Sequence, residues 1–323
     1  MITSTAPLRL SLAGGGTDLP EHYEESGCRL LAVTLDLTVT VTVGGAPSGV
    51  RFSAFGAEEH APHTDTVANP LVRAALRHFG ITGGVRIDVA SDVLPGSGLG
   101  GSGAFLVALA SALAARTGRP IGADEAARLA FRLEREECGC PVGQQDHWTA
   151  ARGGAIELRI DRDGTATTTP LPELCKAVDT LLDRELLLLR TPITRAAGRP
   201  LAAQTKALKS RRGPGMGTIQ NMVDAFHSAL TSGDIGRVGT LLDQHWRAKR
   251  QFNRAVTNPR IDRWYETLLT HGALGAKVVG AGGGGHLLVA VPAEHADRVS
   301  GALASEGLRR IAVRTSEDGV RTT

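Results

Sequence analysis

Residues 92–105, DVLPGSGLGGSGAF, set glycines and serines between an alternating stretch, Val85–Val93, and a run of Ala, Leu and Val from Leu106 to Arg116. The order reads strand, glycine loop, buried helix, with Gly118 as the helix stop. Lacking Cβ atoms, the loop backbone can approach a ligand closely and aim its N–H groups inward. A helix starting near Ser102 adds partial positive charge at its N-terminus. The chemistry this suggests is anion binding, with phosphate the common biological anion. No Lys-Ser or Lys-Thr follows the last glycine, so this is not a Walker loop. No acidic residue closes a strand about twenty residues on, so it is a poor dinucleotide fingerprint. The competing reading is a turn that serves strand–helix packing only.

Two further segments carry chemistry-bearing side chains. One is Arg9 with the turn AGGGTDLP (Ala13–Pro20); the other runs from Glu134 to Asp146. Taken alone, each has an ordinary reading. Arg9 on an alternating strand is a surface cation, and Glu134 amid Glu136 and Glu137 belongs to a solvated face. Asp146 caps a helix over WTAA, and Ser102 is an N-cap.

The elements that would position these groups follow from periodicity. Residues 7–12 and 28–43 read as strands, with Gly44 and Gly45 as a turn and 51–66 as polar and irregular. Asn69–Phe79 has helical spacing. Ala123–Glu137 is a helix with Asp124 and Glu125 in its first turn and Ala126, Leu129, Ala130 and Leu133 as its apolar stripe. It stops at CGCPVG, where Pro141 disfavours continuation. AIELRI (155–160) is a strand and 161–184 a hinge ending in a short helix. ELLLLRT opens a second half with helices at about 200–210, 217–231, 234–255 and 259–271. A hairpin follows, AKVVGAGGGGHLLVAV (Ala276–Val291), then a helix at 294–306 and a last strand at 308–314. Strands and helices mix without regular βαβ repetition, which predicts an α+β fold with a boundary near residue 180.

The bulk numbers exclude several classes. The chain has 323 residues, 42% hydrophobic, with net charge +3, and a mean hydropathy of -0.04. This is a globular composition long enough for one large or two ordinary domains. No long basic run indicates nucleic acid. No apolar run reaches membrane-spanning length, and MITSTAPLRL lacks a signal-peptide core. Cys28, Cys138, Cys140 and Cys175 are scattered, and no His or Cys cluster completes a zinc site. They read as reduced thiols, so the expectation is a cytoplasmic protein. The 40 glycines concentrate at 14–16, 96–103 and 280–285.

Together, PLRLSLAGGGTDLP, LPGSGLGGSGAF and KVVGAGGGGHLLVAV resemble the three motifs of the GHMP kinase superfamily, in order and in spacing. Within it, the GGGTD form, EREECGCPVGQQDHWTAARGG and GALGAKVVGAGGGG look most like D-glycero-D-manno-heptose 7-phosphate kinases. The resemblance implies a two-domain fold. An N-terminal ribosomal protein S5 domain 2-like unit spans 1–180, and a C-terminal ferredoxin-like unit spans 181–323. It also implies ATP and Mg²⁺ as cofactors.

The family's site carries over residue by residue. Pro95, Gly96, Ser97, Gly98, Leu99, Gly100, Gly101, Ser102 and Gly103 match its nucleotide loop. Ser102 and Glu134, the latter in a Glu-Arg pair with Arg135, match its metal ligands. Asp146 matches its catalytic Asp, in a short loop after that helix, and Arg9 its motif-one basic residue. Gly15, Gly16, Thr17, Asp18 and Gln145 fall on the sugar side. Arg195, with Lys209, Arg211 and Arg212 behind it, is a candidate for a substrate phosphate. GAGGGG at 280–285 is supporting structure. The implied reaction moves the γ-phosphoryl of ATP to the anomeric hydroxyl of a heptose 7-phosphate, and the implied assembly is a monomer or homodimer.

Two departures stand out. Gly101 and Gly103 replace the first Ser and the Ala of the family's GLGSSA, which predicts a more mobile loop. Without the serine hydroxyl, one neutral hydrogen bond to phosphate is missing, worth roughly 1 kcal/mol. Gly for Ala in a helix costs up to about 1 kcal/mol. His286 stands where relatives carry an apolar residue. One rival reading is another small-molecule kinase of this fold, acting on a free sugar, an amino-acid hydroxyl or mevalonate. The other is a nucleotide or sugar sensor without turnover; the retained Asp, Glu and Ser argue against it.

Overall fold

The computed structural model describes residues 1–193, 203, 205–206 and 215–323. The first sheet is built around two long strands, β1 (Ile2–Ala13) and β2 (Cys28–Gly45), antiparallel and rich in β-branched residues. Their register slips between Pro7 and Arg9 and again between Ser11 and Ala13. Such bulges turn side chains out of the regular alternation. Here they flank Arg9 and Ser11, and the Arg9 N–H leaves the ladder to bond the Leu99 carbonyl at 3.0 Å.

Between them lies the short helix α1 (Pro20–Ser26). The sheet continues with β3 (Val50–Ala54), β4 (Ala57–Ala61), β5 (Val85–Ser91), β6 (Ala155–Ile160) and β7 (Ala166–Pro170). Its order is β4-β3-β5-β2-β1, with β6 and β7 continuing along the other half of β2. Several expectations are corrected here. Gly44 and Gly45 end β2 and pair with Arg86 and Val85. Residues 51–66 are a hairpin, β3–β4, followed by a short 3₁₀ turn. The hinge at 161–184 holds β7, paired antiparallel to β6.

Helices α2 (Pro70–His78), α3 (Gly101–Arg116), α4 (Ala123–Arg132) and α5 (Gln145–Arg152) cover one face of this sheet. Asn69 caps α2 through its side chain. α3 is buried almost throughout, from Gly103 to Ala114. Its small residues let it lie close to β1, β2 and α5. The predicted helix 123–137 ends at Arg132 and continues as one turn of π-helix, Leu133–Glu137, closed by Cys138 N–H to Leu133 O at 3.0 Å. Asp146, expected in a loop, lies in the first turn of α5.

Helix α6 (Pro172–Leu181) leads to the second sheet: β8 (Leu186–Arg190), β9 (Gly275–Val278), β10 (His286–Ala290) and β11 (Arg309–Ile311), in the order β11-β8-β10-β9. The run LLLL of β8 is apolar on both faces for a simple reason. Leu186 and Leu188 join the core shared with the first sheet, whereas Leu187 and Leu189 face a second cluster with Trp246, Trp264 and Leu268. Helices Gly215–Asn221, Val223–Thr231, Ile235–Phe252 and Pro259–Thr270 (α7–α10) and the short α11 (Ala296–Gly301) complete this half; α9, α10 and α11 close the second cluster through Trp246, Trp264 and Val299, whereas α8 packs into the shared core through Val223 and Phe226. The helix expected at 294–306 is thus one short α-helix between two 3₁₀ turns.

The chain then returns to the first sheet. β12 (Arg321–Thr322) pairs with β1 through Ser4 and Thr5. On the way, the Val320 N–H bonds the Ala151 carbonyl at 3.2 Å. The Thr34 hydroxyl donates to the Ser316 carbonyl, and the Ser316 N–H donates to the Thr34 carbonyl. The last strand is therefore not the one at 308–314 but a two-residue edge beyond it.

Candidate active site

Most of the sequence-predicted residues converge on one cavity of about 550 Å³ between the two sheets. Arg9 reaches it from the bulged part of β1. Its Nε and Nη2 both contact Asp146 Oδ1, at 2.8 and 2.6 Å, and its Nη1 donates to the Gly98 carbonyl at 2.6 Å. One guanidinium thus ties the carboxylate on α5 to the glycine loop. Asp146 Oδ2 has no hydrogen-bond partner among the described residues and is the oxygen left for a ligand.

The loop wraps the N-terminus of α3. Gly100 is left-handed, φ 78°, and a Cβ there would sit 3.0 Å from Arg9 Cγ and 3.3 Å from Asp146 Cγ, so only glycine fits. Pro95, Gly96, Ser97, Gly98, Gly100, Gly101 and Ser102 line the cavity. Leu99 and Gly103 do not: both are buried behind it. Gly103 has a packing role of its own. A Cβ at this position would lie 2.6 Å from Asp146 Cβ and 3.1 Å from His147 N. The missing methyl lets α3 and α5 touch. Gly101, by contrast, has open space where a Cβ would go.

Asp18, which also lines the cavity, is buried. It accepts from Gly16 N–H at 3.1 Å and from Gln145 N–H at 2.9 Å. Burial pushes its carboxyl above the ordinary value, with the Gln145 N–H opposing the shift. Gly15, Gly16 and Gln145 also line this side, the Gln145 amide donating to Ser11 Oγ at 2.9 Å. Thr17 does not reach the cavity. Its hydroxyl is spent inside the turn, on the Gly14 carbonyl and Cys28 Sγ. Arg195, Lys209, Arg211 and Arg212, and the helix expected at 200–210, fall in a stretch most of which, these residues included, lies outside the described residues.

Glu134, presented by the π-turn, borders the cavity although it is only 3% exposed. Its Oε2 lies 2.8 Å from His147 Nε2. Ser102 is exposed to the same cavity. A hydroxyl and a carboxylate are hard oxygen donors, and as a protein share they suit an ion that keeps several waters, as Mg²⁺ does. The other half of the cavity is apolar, lined by Val39, Phe52, Val89, Leu94 and Phe105.

The second sheet supplies residues that the sequence reading missed. Lys249 on α9 lines the cavity and donates to the Gly280 carbonyl at 2.5 Å. Lys277 on β9 is fully buried and donates to the Leu12 carbonyl at 2.6 Å. Its amine is pushed well below the usual range by burial, then by the charges of Lys249 and Arg9. Signals existed for both: Lys249 is a cation on a helix stripe otherwise carrying Leu241, Leu242 and Trp246, and Lys277 is a cation inside the short apolar run of β9, between Ala276 and Val278. The GAGGGG turn closes against the glycine loop. His286 Nδ1 is 2.7 Å from the Ser97 carbonyl, and burial pushes its imidazole below the ordinary value.

The chain's likeness to known proteins agrees with this arrangement. Residues 67–154 match the GHMP kinases N terminal domain, and residues 225–309 match the GHMP kinases C terminal. The D-glycero-alpha-D-manno-heptose 7-phosphate kinase of Campylobacter jejuni is 27% identical over 307 residues, 88% of each chain. A galactokinase of Mycobacterium tuberculosis is 33% identical over 273 residues, 76% of this chain and 73% of its own. Among solved structures, a D-glycero-D-manno-heptose 1-phosphate kinase from Bacteroides thetaiotaomicron superposes with TM-score 0.79 at 22% identity, covering 100% of this chain and 99% of that one. Lactococcus lactis galactokinase superposes with TM-score 0.74 at 16% identity, covering 99% and 95%. With both domain matches in register and the loop, the carboxylates and the glycine turn meeting at one cavity, the chain belongs to the GHMP kinase family and is an ATP-dependent phosphotransferase.

Proposed function

We propose that the protein phosphorylates the anomeric hydroxyl of a sugar phosphate, a heptose 7-phosphate, giving the 1,7-bisphosphate and ADP. The observation that carries the reading is the Arg9–Asp146 pair held at the mouth of α3, with the buried Asp18 lining the same cavity. The likeness to the heptose 7-phosphate kinase over 88% of both chains supports the choice of sugar. Division into two units near residue 180 belongs to the same reading, with β12 contributed back to the first.

Phosphoryl transfer asks the protein for position and charge neutralisation more than for covalent chemistry. The loop 95–102 and the α3 N-terminus face the phosphates with backbone N–H groups. The apolar half of the cavity takes the base. Ser102 and Glu134 would hold Mg²⁺, which would supply positive charge to offset that of the phosphates. Asp146, through Oδ2, accepts the proton of the attacking hydroxyl. Arg9 holds Oδ1 and keeps the carboxylate aimed. Asp18 and Gln145 position the sugar.

A coupled ADP-release assay with heptose 7-phosphate, comparing wild type and Asp146→Asn, tests the assignment. A loss of roughly 10²–10⁴-fold is expected, and equal rates would remove Asp146 from the chemistry. A panel of galactose and mevalonate tests the substrate. The galactokinase likeness, higher in identity but over less of the chain, supports a free sugar as the second reading. Turnover of galactose with refusal of the sugar phosphate would replace the first reading by the second.

A further inference from the structure

We infer that His147 is a positioning residue: it fixes the Glu134 carboxylate so that one oxygen is presented to the metal side of the cavity. The inference rests on the assignment of Glu134 as a metal ligand and deepens it.

The geometry is built from three neighbours. Asp146 and His147 are consecutive in the first turn of α5, so their side chains leave the helix about 100° apart. Asp146 turns to Arg9, and His147 turns to Glu134. The imidazole is 0% exposed and Glu134 is 3% exposed. With the pair so enclosed, neither group can rotate away without losing its partner. The Phe131 ring stands edge-on to the imidazole, 5.7 Å between centroids. Phe131 lies in the last turn of α4, directly before the π-turn that carries Glu134. A π-turn inserts an extra residue into the helix and so re-aims the side chains that follow.

His147 Nδ1 is buried and has no hydrogen-bond partner among the described residues. Among them, the ring's one hydrogen bond is Nε2 to Glu134 Oε2. Read as Nε2–H donating, it occupies one carboxylate oxygen. Glu134 Oε1 makes no hydrogen bond among the described residues and is the oxygen that remains at the cavity. The backbone supports the same arrangement: Gly103 lets α3 contact the Asp146–His147 peptide directly, so the ring cannot retreat by a shift of α5. One helical turn thus sets both the proton acceptor and the orientation of the metal carboxylate.

Partners of this kind are worth roughly 10–100-fold in metal affinity when removed. The test measures binding without turnover: titration calorimetry of Mg²⁺ with a non-hydrolysable ATP analogue on the full chain. The proteins are wild type, His147→Leu, His147→Gln and Glu134→Gln, each checked by its melting curve. His147→Leu should weaken the Mg²⁺-dependent part of binding roughly 10–100-fold. His147→Gln should recover most of it, because an amide N–H can replace Nε2–H. The magnesium dependence of the rate should move in parallel, with KM for the sugar unchanged. Wild-type Mg²⁺ affinity in His147→Leu, with weakened affinity in Glu134→Gln, overturns the role of His147 and leaves Glu134 as ligand. Wild-type affinity in Glu134→Gln overturns the ligand assignment itself and the inference with it. Equal losses in His147→Leu and His147→Gln would show that the ring acts by packing and not through its N–H, which also overturns it.

Discussion

Adding one methyl group at Gly103 tests whether the glycine loop departs from the family pattern for a structural reason. The Cβ of Gly103→Ala would fall 2.6 Å from Asp146 Cβ, 3.0 Å from Asp146 C and 3.1 Å from His147 N. Two of the three atoms are backbone, so no side chain can swing aside, and α3 or α5 must shift. Overpacking of this sort costs about 1–3 kcal/mol. Alanine returns up to about 1 kcal/mol through helix propensity. The net change in stability is then roughly 0–3 kcal/mol, a shift of a few degrees in melting temperature per kcal/mol. Activity is where the larger effect lies. A displacement approaching 1 Å at the Asp146 carboxylate costs on the order of 100-fold in rate. The assay is kcat by ADP release beside a thermal melt, with Gly101→Ser as the control. Gly101 has open space around its missing Cβ, so that variant should keep its rate to within a few-fold. The double variant, which restores the family's SSA, should be as slow as Gly103→Ala. Wild-type kcat in Gly103→Ala would refute the argument that this glycine seats the catalytic helix.

The other predictions concern the walls of the site. Arg9→Lys keeps the charge but cannot hold Asp146 Oδ1 and the Gly98 carbonyl together; the loss of a charged hydrogen bond, about 1.5–3 kcal/mol, should lower kcat roughly 10–100-fold. His286→Leu removes a bond to Ser97 worth about 1 kcal/mol and also a buried Nε2 without a partner among the described residues. Melting should change little, whereas KM for ATP should rise several-fold; an unchanged KM would free the loop from His286. Buried His245 and His286 have imidazoles pushed below the ordinary value of 6.5. Below about pH 6.5 the unfolded chain binds protons that the folded chain refuses, so their contribution is complete above that pH and lost as pH falls. Asp18 acts in the opposite sense. Its raised value lets the folded chain keep a proton that the unfolded chain loses above 3.8, so stability falls as pH rises through that window. Melting curves from pH 5 to 8 on wild type and His245→Leu should show a shallower acid limb in the variant.

Strong local periodicity was legible in the sequence, and weak local signals were not. The strand, loop and helix at 85–116 and the amphipathic start of α4 carry their own hydrophobic patterns. The β3–β4 hairpin does not: Arg51, Glu58, Glu59 and His60 leave little apolar alternation, and only a neighbouring strand makes the segment a sheet edge. The π-turn is invisible because its extra residue falls where the apolar stripe has already ended. The site was legible through its motifs, which named Arg9, Glu134 and Asp146 but not their contacts. His147 was hidden because QQDHWTAARGG carries no distinct apolar stripe. The packing role of Gly103 was hidden because propensity concerns a helix alone, whereas this role lies in what α5 brings against it.

The return of β12 to β1 has a consequence for how the molecule is assembled. Thr322 and Ser4 bond through their hydroxyls across 318 positions of sequence, and the Gly319 segment lies against the end of α5, at Ala151 and Arg152. During synthesis, the strand that begins the first sheet leaves the ribosome long before its outer partner exists. Loop-closure entropy grows only slowly with length, so the late pairing carries little extra penalty, but it delays the final seating of α5. A fragment ending near residue 180 should carry the loop, Arg9 and Asp146 and yet refold as an unfinished sheet, whose exposed edge invites pairing with other chains.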